Sequence, residues 1–369
     1  MLPFTRPTLT ETDEQAVLDV MRSGWITTGP KVAAFEQALA DYLGGDVTVR
    51  AFNSATSALE AVLLASGIGP GDEVIVPAMS FTATANVVVR VGARPVFVDV
   101  DLDSRITDAD YVEQALTPRT RAVIPVHFAG LSVDMAPLRD LTEHHRLLLL
   151  EDAAQAIGTR HAGRHTGSGG NPACFSFHPN KNITTIEGGA VATDDAALIR
   201  RLERIRFHGI ERNADGDMNV PLWGGKMNLP DMNAALGLSQ LARLDEFNRK
   251  RRQLAERYLE RLPAHEALHP PEGGPGHSWH MFCVRIDYAA LNTTRAAFQR
   301  ALADRDIGTG VHYPAMHLFG LYRSHGYAPG DFPHAETIGE QTLTLPLFPG
   351  MEMEDVDKVC DALGEVLNG

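Results

Sequence analysis

The amino-acid sequence predicts an α/β fold, with a large domain on a mainly parallel sheet followed by a smaller α+β domain. Three observations carry this. Between about residues 47 and 209, short apolar runs alternate with amphipathic ones, the strand–helix–strand rhythm of a sheet covered on both faces. Strand-length runs such as 147–150 are continuously apolar, as burial on both sides requires. A chain of 369 residues is also longer than one small core organises.

Residues 47–52 read as a strand and 55–66 as a helix with Leu59, Val62 and Leu63 on one face. Residues 73–76 form the next strand, 86–91 a helix, and 95–100, 121–126 and 147–150 further strands, with a helix over 135–145. A long charged helix over 241–262 leads out of the large domain, and Pro270-Pro-Glu-Gly-Gly-Pro-Gly276 interrupts regular structure. Residues 280–287, 294–304 and 353–367 read as strand, helix and terminal helix of the smaller domain. The expected division is 1–245 and 246–369. There is no internal repeat and no low-complexity tract.

Composition narrows the functional classes. Hydrophobic residues make up 44% and charged residues 22%, ordinary for a globular chain. A net charge of −14 argues against a nucleic-acid or membrane-surface binder, because phosphate tracks demand clustered Lys and Arg. An anionic small substrate would need cations gathered locally. Cys174, Cys283 and Cys360 cannot all pair within one chain and show no metal-ligand spacing, so free thiols and no metal site are expected. No apolar run approaches the roughly 20 residues that span a bilayer, and the N-terminus lacks a basic start before an apolar stretch. A cytoplasmic location is expected.

The chemistry-bearing residues lie at strand ends, where ligands of open α/β sheets collect. Asn53-Ser-Ala-Thr-Ser57 follows a strand and opens a helix; its amides and hydroxyls suit a phosphate, although Ser and Thr there are also ordinary helix caps. Glu151-Asp-Ala-Ala-Gln155 follows the 147–150 strand, and its carboxylates suit a cationic ring nitrogen, a metal or a solvated turn. Phe175-Ser-Phe-His-Pro-Asn-Lys-Asn-Ile-Thr-Thr-Ile-Glu-Gly-Gly189 sets Lys181 between an aromatic strand and a Gly-Gly turn, beside Ser176 and His178. A lysine off a solvated helix face, partly desolvated, has the lowered pKa that Schiff-base chemistry needs. Together these describe a pyridoxal 5′-phosphate (PLP) site: amine Lys181, ring-nitrogen partner Asp152, phosphate contacts at Ser54–Thr56 and Ser176, and Phe81 to stack on the ring.

At this point the sequence resembles the DegT/StrS-type nucleotide-sugar aminotransferases, fold type I PLP enzymes, over nearly its whole length. The matching motifs include Ser23-Gly-Trp-Ile-Thr-Thr-Gly-Pro30, Asn53-Ser-Ala-Thr56, Gly71-Asp-Glu-Val-Ile-Val-Pro77 and Pro125-Val-His-Phe-Ala-Gly130. They continue through Glu151-Asp-Ala-Ala-Gln155, Ser176-Phe-His-Pro-Asn-Lys181, Glu187-Gly-Gly189, Phe207-His-Gly209, Gly308-Thr-Gly-Val-His-Tyr-Pro314 and Leu345-Pro-Leu-Phe-Pro349. The resemblance implies that Lys181 binds PLP and shuttles protons, that Asp152 partners the ring nitrogen, and that Gln155 lies near the ring hydroxyl. It implies phosphate contacts from Ala55, Thr56 and Ser176, stacking by Phe81, and a substrate-facing set of Thr28, His178, His312, Tyr313 and His317. It further implies a homodimer in which the stretch Gly225-Lys-Met-Asn-Leu-Pro-Asp231, and Lys226 above all, completes the neighbour's site.

Lys226 and Asn228 stand where many relatives carry Asn and Arg; the Lys/Asn version is similar to enzymes that make 4-amino-4-deoxy-L-arabinose nucleotides. The resemblance therefore implies transfer of an amino group, with glutamate as expected donor, to C4 of a nucleotide-linked 4-ketopentose. Phe81, Gln155 and the short 209–224 segment depart from that pattern and keep a 4-keto-6-deoxyhexose or a 3-ketosugar open. A sugar dehydratase of this scaffold would carry His in place of Lys181. A regulator that uses the fold only to bind would not need the Lys181/Asp152 pair.

Overall fold

The computed structural model describes residues 1–44 and 46–369. Its centre is a twisted sheet. Strands Arg94–Val98, Glu73–Pro77, Thr120–Val123 and Leu148–Leu149 lie side by side in parallel. The parallel Val126–Asp152 bridge links them to strands Glu151–Asp152 and Ala173–Ser176, themselves parallel. Strand Gly189–Thr193 runs antiparallel to Ala173–Ser176 and to Thr48–Phe52. The sheet is thus parallel with one reversed strand, and that reversal brings the Gly188–Gly189 turn to the edge where the parallel strands end.

Both faces are covered, which explains the continuous apolar runs. Along Glu73–Pro77, Val74 and Val76 enter one core, under helices Ala55–Ala65 and Ala83–Arg90, while Ile75 enters another. Along Gly189–Thr193, Val191 joins the first core and Ala190 and Ala192 pack toward helices Pro30–Leu43 and Asp231–Leu241. Each Val or Leu so buried contributes roughly 1.5–3 kcal/mol, which pins the strand ends that carry the site.

Helix Asp231–Leu241 comes first, and the long charged helix expected over 241–262 follows it as Leu244–Arg261. The second serves two cores. Leu244 and Phe247 pack with the large sheet, whereas Leu254, Ala255 and Tyr258 pack with the antiparallel strands Leu268–His269, Phe282–Ile286 and Thr342–Leu345 and with helices Arg295–Ala303 and Met353–Asn368. Helix Ala83–Arg90 begins three residues before the expected start at 86. All three cysteines are buried and unpaired with one another. Among the described residues no helix is long and apolar enough to cross a membrane.

Candidate active site

Strand Thr48–Phe52 is parallel to Ala173–Ser176, since both run against Gly189–Thr193. The carboxyl ends of Thr48–Phe52, Glu73–Pro77, Glu151–Asp152 and Ala173–Ser176 therefore meet at one sheet edge. A cavity of about 390 Å³ opens there, lined by Ala55, Thr56, Phe81, Asp152, Gln155, Ser176, His178, Lys181, His312 and Tyr313 among others. Its size and its position at the strand ends suit a small-molecule cofactor with its substrate.

One wall is the start of helix Ala55–Ala65. Ser54 caps it, its hydroxyl accepting from the Ser57 N–H at 3.0 Å, so the capping reading holds for Ser54. The amides of Ala55 and Thr56 fall in the first turn, where a helix offers no internal acceptor and favours an anion. Gly189 packs directly on this turn: a Cβ there would collide with the Ser54 carbonyl carbon and the Ala55 nitrogen. Glycine is required for the reversed strand to pass so close.

The opposite wall holds the charges. Asp152 is only 5% exposed. Its Oδ2 accepts from the Thr84 hydroxyl at 2.8 Å and its Oδ1 from the Ala154 N–H at 3.2 Å. Burial pushes this carboxyl above its usual range, and the Thr84 hydrogen bond pulls the other way. Lys181 sits in the turn after Ala173–Ser176, its backbone N–H donating to the His178 carbonyl at 2.8 Å. Burial lowers its amine to about 8, with the negative charge of Asp152 opposing. The two do not touch: no Lys181–Asp152 ion pair forms within 4.0 Å. A partly buried amine and a buried carboxylate facing one cavity without pairing leave room for a polar group between them.

Gln155 is buried; its Oε1 accepts from the Ala129 N–H at 2.7 Å, and its Nε2 reaches the Tyr313 hydroxyl at 3.4 Å. Phe81 stands at the mouth, 53% exposed, with its ring 5.8 Å from that of Tyr313. His312 shares a 2.7 Å hydrogen bond with Thr344, and burial, then the charge of Lys181, lower it to about 4. Burial raises the Tyr313 hydroxyl. Exposed His178 lies 3.9 Å from Glu187, another cavity residue.

Three expected residues lie outside this cavity. Thr28 and Lys226 belong to one joined unit: Asn228 Nδ2 donates to Thr28 Oγ1 at 2.5 Å, and Thr28 donates to the Leu229 carbonyl at 2.6 Å. The Lys226 amine rests 4.4 Å from the centre of the Phe207 ring. His317, expected to face the sugar nucleotide, is instead fully buried, bonded through Nε2 to Glu336 at 2.9 Å and packed edge-on to Phe332. The turn after Pro314 carries it into the core, under helix Pro333–Gln341. Sequence reasoning missed Ser80 and Thr84, which support Asp152, and Asn180 and Glu187, which line the cavity. A threonine inside a helix carries no mark of such a role.

The site is consistent with a PLP cradle on this chain's own features: an amine and a carboxylate not paired with each other, an open helix start against a steric glycine, and an aromatic at the mouth. Comparison with known proteins agrees. Spr1654 of Streptococcus pneumoniae, assigned as a sugar aminotransferase, superposes with a TM-score of 0.93 at 34% identity, covering 99% of this chain and 97% of its own; it has also been solved in PLP and PMP forms. DesV of S. venezuelae, captured with a ketimine intermediate, matches at 37% identity and TM-score 0.90, over 97% of this chain and 94% of its own. Helicobacter pylori PseC, an aminotransferase of pseudoaminic acid biosynthesis, matches at 29% identity and TM-score 0.93, over 100% and 99%. Residues 7–364 match the DegT/DnrJ/EryC1/StrS aminotransferases, and the chain belongs to that family of PLP-dependent sugar aminotransferases.

Proposed function

We propose that this protein moves an amino group from an amino acid, with glutamate as donor, to C4 of a nucleotide-linked 4-ketopentose. The observation that carries the amino-transfer reading is the Lys181 amine and Asp152 carboxylate lining one cavity without pairing. PLP would be held by Lys181, by Asp152 at the ring nitrogen, by Gln155 near the ring hydroxyl, by Phe81 against the ring face, and by Ala55, Thr56 and Ser176 at the phosphate. When bound, it supplies an electron sink for the carbon that gains or loses the amino group.

The chain's own residues do the rest. Asp152, kept by Thr84 and Ala154 as an acceptor, holds a proton on the pyridine nitrogen through its negative charge. Lys181, brought near neutrality by burial, takes a proton at Nζ and returns it on the same side of the cavity. His178, His312 and Tyr313 are the substrate-facing residues of this chain. We read the protein as a homodimer in which Thr28 and Lys226 serve the neighbour's site. Exposed Trp25, Ile26, Phe207 and Trp223 support this, being apolar surface that a second subunit would cover. Lys226 would bring cationic charge to an acidic protein's phosphate-bearing substrate.

The test is to load the purified protein with PLP, add glutamate, and follow the loss of the visible band together with release of the keto acid. A panel of ketosugar nucleotides is then offered to the aminated form. Borohydride fixation of PLP followed by peptide mapping must mark Lys181 and no other lysine; a label elsewhere, or no PLP uptake, overturns the reading.

A further inference from the structure

Residues on both sides of Lys181 are tied down by side chains that no part of the proposed reaction uses. On the N-terminal side, the Asn180 carbonyl lies 3.1 Å from His280 Nε2. A carbonyl only accepts, so Nε2 carries the proton and donates. The other ring nitrogen, Nδ1, is buried and has no partner among the described residues. The single hydrogen bond of this buried imidazole is therefore the one to the peptide preceding Lys181. On the C-terminal side, Asn182 Nδ2 donates to Asn248 Oδ1 at 2.7 Å and to the Ser278 carbonyl at 2.9 Å. Asn248 Nδ2 in turn donates to the Ile157 carbonyl at 3.2 Å.

The supports are themselves fixed. Asn248 lies in helix Leu244–Arg261. From the same helix the fully buried Arg251 guanidinium donates through Nη1 to the carbonyls of His280 at 3.1 Å and Leu347 at 2.9 Å. A side chain kept only to fill space beside Met281 and Leu345 would be apolar, because a buried imidazole with an unpaired nitrogen costs free energy. Its retention is explained by the bond it makes.

We propose that His280 and Asn248 are positioning residues that clamp the Lys181 turn at residues 180 and 182 and so set where the amine stands in the cavity. The clamp links the helix shared by the two cores to the reacting amine. This rests on Lys181 being the cofactor lysine, yet it can be measured without cofactor.

The chain has five lysines, Lys31, Lys181, Lys226, Lys250 and Lys358, so each can be followed by peptide mapping. The cofactor-free protein is treated with trinitrobenzenesulfonate, and the rate at Lys181 is divided by that at the other four, an internal reference that a general loss of stability does not shift selectively. His280→Gln can present an N–H where Nε2 stands; His280→Asn, one carbon shorter, cannot. The Gln variant should keep the wild-type ratio, whereas His280→Asn and Asn248→Ala should change it by about tenfold, the worth of roughly one hydrogen bond lost to a buried group. With PLP bound, the same two variants should lower kcat far more than they raise KM. Equal ratios for Gln, Asn and wild type overturn the clamp, as does a Gln variant no better than Asn. Borohydride fixation on a different lysine would instead remove the functional reading and leave the labelling result standing.

Discussion

The hydroxyl of Thr84 donates to Oδ2 of Asp152 at 2.8 Å, and because its proton is committed there, Ser80, 3.0 Å away, donates to Thr84 in turn. The two residues lie far apart in sequence, one in a helix and one at a strand end, yet they form a relay that ends on the carboxylate. Burial alone would favour the neutral acid; a charge-assisted hydrogen bond favours the anion. Thr84→Val keeps the shape and removes the donor. The loss should be about 1.5–3 kcal/mol, or roughly ten- to a hundredfold in turnover, while PLP still binds. Steady-state kinetics with a PLP-binding titration check this, and unchanged kcat would show that Asp152 needs no such support.

Asp152→Asn is the sharper version. It preserves size but cannot hold a proton on the ring nitrogen by charge. Turnover should fall by about two to three orders of magnitude, as for loss of one preorganised electrostatic contact. Near-normal turnover would move the role to another carboxylate, of which Glu187 is the one other that lines the cavity among the described residues.

The Lys181 amine gives a pH prediction with a definite sign. It is lowered from 10.5 to about 8 in the folded chain. Between those values the unfolded chain holds a proton that the folded chain has released, so this group makes stability rise with pH across that window. Below about pH 8 both states are protonated and its penalty is constant. The difference in melting temperature between cofactor-free wild type and Lys181→Met should therefore be flat below pH 8 and shift in favour of wild type from there toward 10.5. The rate of PLP uptake should rise through the same midpoint and level off. A flat difference across the window would mean that the amine is not desolvated.

Assembly can be tested by subunit mixing. Lys226 lies outside its own cavity and rests on Phe207, as expected of a residue that serves a neighbour. In a mixed dimer of Lys181→Ala and Lys226→Ala subunits, one site carries both defects and the other carries neither. Activity should return on mixing two inactive preparations. No recovery after mass spectrometry has verified subunit exchange would place Lys226 in its own subunit's chemistry or outside the chemistry altogether.

The strand ends bearing Ser54, Asp152 and Lys181 were legible because strong local signals coincide there: apolar strand-length runs, then small or charged residues. What escaped was whatever depends on packing between distant segments. Strand Gly189–Thr193 is built mostly of small residues that carry no mark of direction, and its reversal follows from pairing with Ala173–Ser176 and Thr48–Phe52. Helix Ala83–Arg90 opens with Ala-Thr-Ala, which has no apolar periodicity, so its start and the role of Thr84 were hidden together. His317 failed for the opposite reason. Its neighbours His312 and Tyr313 line the cavity, but the short 3-10 turn Met316–Leu318 is enough to send a side chain into the core.

The substrate prediction rests on the unit formed by Thr28 and Asn228. Their 2.5 Å hydrogen bond joins the Thr27-Thr28-Gly29 turn to the Lys226–Asn228 stretch, so the two segments that lean toward a pentose act as one surface. A 4-ketopentose differs from a 4-keto-6-deoxyhexose by the carbon beyond C5. A pocket shaped around the smaller sugar rejects one extra methyl group by about 1–3 kcal/mol, on the order of 10- to 200-fold in kcat/KM. The assay holds the nucleotide constant and compares the two ketosugars on PLP-loaded enzyme. The pentose should win within that range, and widening the unit by Thr28→Ala should narrow the gap, chiefly by releasing Asn228. A preference for the 6-deoxyhexose would mean that Phe81, Gln155 and the short 209–224 segment shape the sugar site more strongly than the Thr28–Asn228 unit does.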